Sequence, residues 1–287
     1  MEERFDIDGY IRRSRKLDTD GIRWDEVGRH PLPAEALRTL TYMQDIETHT
    51  IVYVRELLST RAIDDEQVAT FFACWFYEET FHGRALADFL RAAGREPIKR
   101  KRSAPGWGER FEAAGIAALA RLWPDFVAVH MTWGAINELT TLCAYKRLSA
   151  LAGHPVLTEL LGRITLDESR HFQFYFDQAR LRLARPRTAR ITRFLVEHFW
   201  DPVGAGVQPD EEVRFLATYL FSGPDGRAAA QKVDDTIRRL PGFEGVPLLE
   251  AWLERATAPR PPLSTRLRCA PLHPFPSPRR RSSRLRA

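Results

Sequence analysis

The sequence predicts an all-α protein, an antiparallel bundle of four long helices with shorter helices packed outside it. Two observations carry this expectation. Through most of residues 1–257 the apolar residues recur with helical period, and no stretch shows convincing strand alternation. Turn signals cut the same region into segments of roughly 25–30 residues with short connections, the length pattern of a helical bundle.

The first long segment starts near Pro33, a favourable first-turn residue, and runs to about Ser59. Asp64-Asp65-Glu66-Gln67 reads as the next helix start and Gly94 as its stop. A shorter segment covers Glu109–Leu122. Pro124 opens a helix that continues to about Leu151 and is closed by Gly153-His154-Pro155. Pro155 to Ala184 forms the fourth long helix, which Arg185-Pro186 ends. Shorter helices are expected at 188–200, 209–221, 226–239 and 246–257. Residues 1–257 thus form one helical domain. Residues 258–287 hold eight arginines, seven prolines and no acid, and read as a disordered tail.

Composition removes several classes of protein. The net charge of +5 belongs to the tail, since taking its eight arginines away leaves residues 1–257 at −3. A nucleic-acid reading resting on overall basicity therefore fails. No run approaches the roughly 18 uninterrupted apolar residues of a membrane span, and the start, Met1-Glu-Glu-Arg-Phe-Asp, is too charged for a signal peptide. Cys74, Cys143 and Cys269 show no C-x-x-C spacing, which excludes a disulfide framework or zinc ribbon and suits a reducing cytoplasm.

The chemistry-bearing motif is Glu-x-x-His, present as Glu79-Thr80-Phe81-His82 and Glu168-Ser169-Arg170-His171. On a helix, residues i and i+3 share a face, so each pair can offer one oxygen and one nitrogen to a metal. The motif count decides little, because 21 glutamates and eight histidines produce such pairs by chance. The helix faces decide more. Glu47 lies on the row Leu40, Met43, Ile51, Val54, Leu58. Glu79 has Phe72, Trp75 and Phe76 behind it and Gly83 and Leu86 ahead. Glu138 sits among Met131, Gly134, Ala135, Leu142 and Tyr145, and Glu168 among Leu161, Ile164, Phe172 and Tyr175.

Four long helices therefore each carry one glutamate on the face that ought to be core, and no lysine or arginine occupies those rows. An ionised, unpaired carboxylate costs several kcal/mol there. Two divalent ions balance four carboxylates, and two neutral imidazoles complete the donor set. The order agrees, since 32 residues separate Glu47 from Glu79 and 30 separate Glu138 from Glu168. A helix with one glutamate followed by a Glu-x-x-His helix, twice over, is the arrangement of di-iron and di-manganese carboxylate bundles.

At these residues the sequence resembles the soluble acyl-carrier-protein desaturases of the ferritin-like di-iron superfamily, over about residues 20–185. Glu78-Glu79-Thr80-Phe81-His82-Gly83 is similar to their E-E-x-x-H-G, and Asp167-Glu168-Ser169-Arg170-His171 to their D-E-x-R-H. Glu138-Leu139-Thr140-Thr141 resembles E-x-x-T, and Glu47 with Tyr53 matches the first ligand and a tyrosine six residues on. Spacing alone leaves Glu78 and Glu79 competing as ligand; the resemblance implies Glu79. It makes Asp167 a partner that accepts a hydrogen bond from the histidine of the other motif, His82, with a tryptophan beyond, for which Trp24 is the candidate and an ordinary packing role the alternative. Thr141 is a candidate to hydrogen-bond oxygen at the metals, or else bonds back to its own helix. His49 falls on a different face from Glu47, His30, His154 and His273 lie in Pro-flanked loops, and His130 and His198 match no ligand spacing.

Absences narrow the superfamily. Leu86 stands where ribonucleotide reductase radical subunits carry a tyrosine, Ile164 where di-iron N-oxygenases carry an extra histidine, and the cysteines cannot supply a rubrerythrin iron site. The resemblance thus implies an oxygen-dependent oxidase of C–H bonds holding two iron ions, or one iron and one manganese. A hydroxylase of another substrate and a non-catalytic iron-binding protein are the alternatives. The expected partners are a fatty acyl carrier protein or another apolar substrate, a ferredoxin-type electron donor, and a second copy in a homodimer. The basic run Lys99-Arg100-Lys101-Arg102 is a candidate docking loop for the acidic carrier.

Overall fold

The computed structural model describes residues 5–58, 60–98, 120, 123–205 and 208–257; the Lys99–Arg102 loop, most of the 109–122 segment and the 258–287 tail lie outside them. Among the described residues the regular structure is helical, with no strand. Chain order is α1 (Ile7–Arg13), a 3₁₀ turn (Trp24–Arg29), α2 (Ala34–Glu47), α3 (Thr50–Leu57), a second 3₁₀ turn (Arg61–Asp64), α4 (Glu66–Ala92), α5 (Phe126–Ala152), α6 (Pro155–Leu183), α7 (Pro186–Phe199), α8 (Asp210–Phe221), α9 (Gly223–Ile237) and α10 (Leu248–Thr257). None of these helices is long and apolar enough to cross a membrane.

The helix starts follow from side-chain caps. Asp65 accepts the Gln67 and Val68 N–H groups and opens α4. Gly153, at φ +57°, ends α5 in the left-handed conformation. His154 then caps α6, its Nδ1 accepting the Leu157 N–H, while its Nε2 lies 3.1 Å from the Val27 carbonyl. This residue of the α5–α6 connection is buried and holds the first 3₁₀ turn against the start of α6.

The bundle core is formed by α2, α4, α5 and α6. Arg182 pairs with Asp65 at 2.6 Å, so the end of α6 meets the start of α4 and the two run antiparallel. Two residues join α5 to α6, which pack along their length. At Gly134 a Cβ would lie 2.3 Å from the Tyr175 ring, so α6 seats that ring directly on the α5 backbone. Phe71 of α4 stacks on Phe174 of α6 at 3.8 Å. Helices α7, α8 and α9 cover α5, and α10 closes over α8 and α9.

Two elements differ from the sequence expectation: α1 lies before the first expected helix, and the first long segment is divided. The segment 33–59 is two helices, broken at Thr48-His49. The Thr48 hydroxyl bonds the Asp45 carbonyl and the His49 N–H bonds the Ile46 carbonyl, both over three residues, which tightens the chain out of the α register. Gly83 of α4 comes so close that a Cβ there would lie 3.2 Å from both Glu47 Cβ and Thr48 Cγ2. Beyond the break Val54 of the row drawn through Glu47 stays in the core, while Ile51 and Leu58 are 42% and 48% exposed.

Candidate metal centre

Each bundle helix delivers its glutamate to one place. Glu47 is the last residue of α2, Glu79 and His82 are in the middle of α4, Glu138 is in the middle of α5, and Glu168 and His171 are in the middle of α6. All six are buried. They form two overlapping groups whose donor atoms lie within 4.8 Å of one another: Glu47, Glu79, His82 and Glu168 in one, Glu79, Glu138, Glu168 and His171 in the other. Glu79 and Glu168 belong to both.

The two imidazoles point the same way. His82 Nδ1 is 3.3 Å from Glu168 and 3.7 Å from Glu79. His171 Nδ1 is 3.1 Å from Glu79 and 3.7 Å from both Glu138 and Glu168. Each Nε2 faces outward to a second carboxylate: His82 to Asp167 at 3.2 Å, His171 to Glu78 at 2.8 Å. A hydrogen on Nε2 held by such a carboxylate leaves Nδ1 with its lone pair free for a metal. The Arg170 guanidinium joins the two outer acids, 2.6 Å from Asp167 and 3.0 Å from Glu78. The Tyr10 hydroxyl donates to Glu78 at 2.6 Å, and the Tyr145 hydroxyl donates to Glu47.

Electrostatics marks the same cluster. Burial, then the neighbouring Glu79 carboxylate, pushes Glu47 well above the usual carboxylate range. Burial also raises Glu138, against the pull of His171. Glu168 is held low: burial opposes ionisation, but the flanking His171 and His82 outweigh it. His82 is disfavoured as a cation by burial yet reaches about 10 through Asp167 and Glu168, and His171 is raised in the same sense. Glu78 is lowered to about 2, where burial loses to His171, Tyr10 and Arg170.

The donor set fits metal ions. Both Nδ1 atoms, one oxygen of Glu79 and both oxygens of Glu168 are buried and make no hydrogen bond. Buried polar atoms without partners are costly. No lysine or arginine among the described residues pairs with the four inward glutamates. Divalent cations satisfy both deficits at once. Carboxylate oxygens and imidazole nitrogens without sulfur suit a hard or borderline divalent ion.

Of the other candidate residues, Asp167 reaches His82 as the resemblance implied. Trp24 sits half-buried in the first 3₁₀ turn, and the hydrogen bonds of Asp167 go to His82 and Arg170. Thr141 lies one turn beyond Glu138, half-buried, on the same face of α5. Tyr53 is half-buried on α3, with its ring edge-to-face against Trp75. Sequence reasoning missed three contributors. Arg170 and Tyr145 were within reach, one being three residues from Asp167 and the other on the Glu138 row. Tyr10 left no signal, because nothing in a lone tyrosine 68 residues before Glu78 announces a contact.

A family model described as fatty acid desaturase matches residues 41–186, a span containing all six inward donors. No curated protein and no solved structure matches the chain.

Proposed function

The chain belongs to the fatty acid desaturase family, and from that premise we propose that it is an oxygen-dependent di-iron oxidase of the ferritin-like kind, introducing a double bond into a fatty acyl chain carried on an acyl carrier protein. The observation that carries this reading is the pair of donor groups sharing Glu79 and Glu168. Two groups with two common carboxylates are what a bridged pair of ions requires, whereas a single structural ion needs neither the sharing nor six donors.

A pair of iron ions bound there supplies the activation of dioxygen needed to remove hydrogen from an unactivated carbon. The protein's share is binding, orientation and dryness. His82 and His171 would offer Nδ1 and Glu47, Glu79, Glu138 and Glu168 carboxylate oxygens, with Glu79 and Glu168 belonging to both donor groups. Asp167 and Glu78 keep the imidazoles in the right tautomer, and Tyr145 fixes the Glu47 carboxylate. Phe71, 6.3 Å from the His171 ring, with Phe72 and Trp75, keeps water from that side of the centre. Reduction draws on a ferredoxin-type protein; the enzyme works in the cytoplasm as a homodimer, and Lys99–Arg102 receives the acidic carrier.

Protein matured with iron and assayed with acyl carrier protein substrates, donor and oxygen tests this. Two iron ions per chain and an unsaturated acyl product are expected. A hydroxylated product would leave the oxidase reading and replace desaturation. Iron uptake without donor-coupled oxygen consumption would replace the enzyme with an iron-binding protein.

A further inference from the structure

Helix α1 lies before the family-matched segment, which begins at residue 41, yet it reaches the centre. We propose that Tyr10 is a positioning residue for His171, acting through Glu78, so that the N-terminal helix is a working part of one half of the metal site. The inference rests on the metal-centre reading above.

The hydroxyl of Tyr10 and Nε2 of His171 meet on the same Glu78 oxygen, at 2.6 and 2.8 Å. The other Glu78 oxygen takes Arg170 at 3.0 Å. Tyr10, Glu78 and His171 are each fully buried. With three donors converging on it, Glu78 has one available role, that of acceptor, and its orientation is set from outside by Tyr10 and Arg170. That orientation keeps the hydrogen of His171 on Nε2 and its lone pair on Nδ1, toward Glu79 and Glu138.

Packing does not account for the hydroxyl. Tyr10 sits in an aromatic nest, 5.2 Å from Phe71 and 5.9 Å from Phe5, and Phe5 in turn lies edge-on to Phe174 at 5.1 Å. Phenylalanine would fill that nest equally well. The oxygen is the part that only Glu78 uses.

The other half of the site lacks this support. His82 meets Asp167 at the longer distance of 3.2 Å, and among the described residues Asp167 is shared with Arg170 alone. Loss of the Tyr10 hydroxyl should therefore be felt by one metal and not by its neighbour.

Anaerobic titration of the full chain with cobalt(II) alone, followed by calorimetry and by the visible absorption of the bound ion, tests the proposal. Wild type should take up two equivalents. Tyr10→Phe should keep its fold and one unchanged binding step while the other weakens about tenfold, the usual effect of losing an outer partner of a metal-binding histidine. Its absorption bands should shift for one ion only. In a Glu78→Gln background, Tyr10→Phe should have no additional effect, because the route through Glu78 is already cut. Equal weakening of both steps, or an effect additive with Glu78→Gln, would show a merely structural role and overturn the proposal. Two unchanged steps in Tyr10→Phe would overturn it while leaving the metal centre intact. A wild-type chain that takes up no cobalt would overturn the metal-centre reading, and this inference with it.

Discussion

Asp234, among the C-terminal helices, and Glu168, at the centre of the bundle, are both buried acids, and their surroundings answer the charge in different ways. Asp234 accepts the Leu249 N–H at 2.7 Å and the Glu250 N–H at 3.1 Å, at the start of α10, where free backbone donors and the helix dipole favour an anion. Both Glu168 oxygens lack hydrogen bonds, and the groups nearest them are two imidazoles and other carboxylates. The first arrangement is complete as it stands: the acid ties α9 to α10. The second is incomplete, and so is its neighbour Glu79, one of whose oxygens is also buried without a hydrogen bond. Backbone N–H groups accommodate one buried acid; four acids in one core require cations.

Removing a metal donor should break the comparison most sharply. His82→Ala and His171→Ala each delete one nitrogen and leave the apolar packing in place, so each should lower turnover at least about 100-fold while the chain stays folded. Circular dichroism, metal analysis and turnover on the same preparations check this. An active His171→Ala variant would mean that the centre has been assigned to the wrong residues.

Filling the centre should stabilise the bundle. A metal that binds the folded chain alone adds about 2.7 kcal/mol at a free concentration of about 100 Kd, visible as a rise in Tm that a chelator reverses. If the Tm were the same with and without iron, the unpartnered atoms around Glu168 would not be metal donors.

Neutralising one inward acid should then invert the effect. Without metal, Glu138→Gln relieves a carboxylate that burial and its acidic neighbours disfavour, and should stabilise the metal-free chain by about 1 kcal/mol while weakening metal uptake. The matching change at Asp234 should destabilise with and without metal, because the amide offers one oxygen where the carboxylate uses two to accept the Leu249 and Glu250 N–H groups. Urea melts of the two variants, with and without iron, distinguish these signs.

The smallest effect concerns pH. Burial raises Asp234 from an ordinary 3.8 to about 6 despite its two backbone donors. Between those values the folded chain holds a proton that the unfolded chain has released. The contribution of Asp234 is therefore full below pH 3.8 and is lost as pH rises through 6. Stability of wild type relative to Asp234→Asn should decline across that window. Parallel curves from pH 3.5 to 7 would show that the fold does not shift this acid.

Much of the fold was legible in the chain because its determinants are local. Asp65, Gly153 and Pro155 act within one turn of themselves, so the limits of α4, α5 and α6 could be read directly. Helix phase likewise depends on near neighbours, and it was enough to point Glu79, His82, Glu138, Glu168 and His171 inward. The same reasoning carried too far at Glu47, where it extended one helix through Thr48-His49. The break there comes from the three-residue bonds of Thr48 and His49, beside which Gly83 of α4 packs closely, and apolar periodicity carries no sign of either.

By itself, then, the sequence determined the helical class, the main helix ends, the composition of the inward faces and the need for positive charge among them, since all of these follow from residue type and period. Only the tertiary structure decided that the donors divide into two groups sharing Glu79 and Glu168, that Glu78 turns to His171, and that Tyr10 arrives from a separate helix. Those outcomes depend on which side chains reach a common point across helices distant in the chain, and a single hydroxyl or carboxylate contributes too little to the pattern of its own helix to reveal where that point lies.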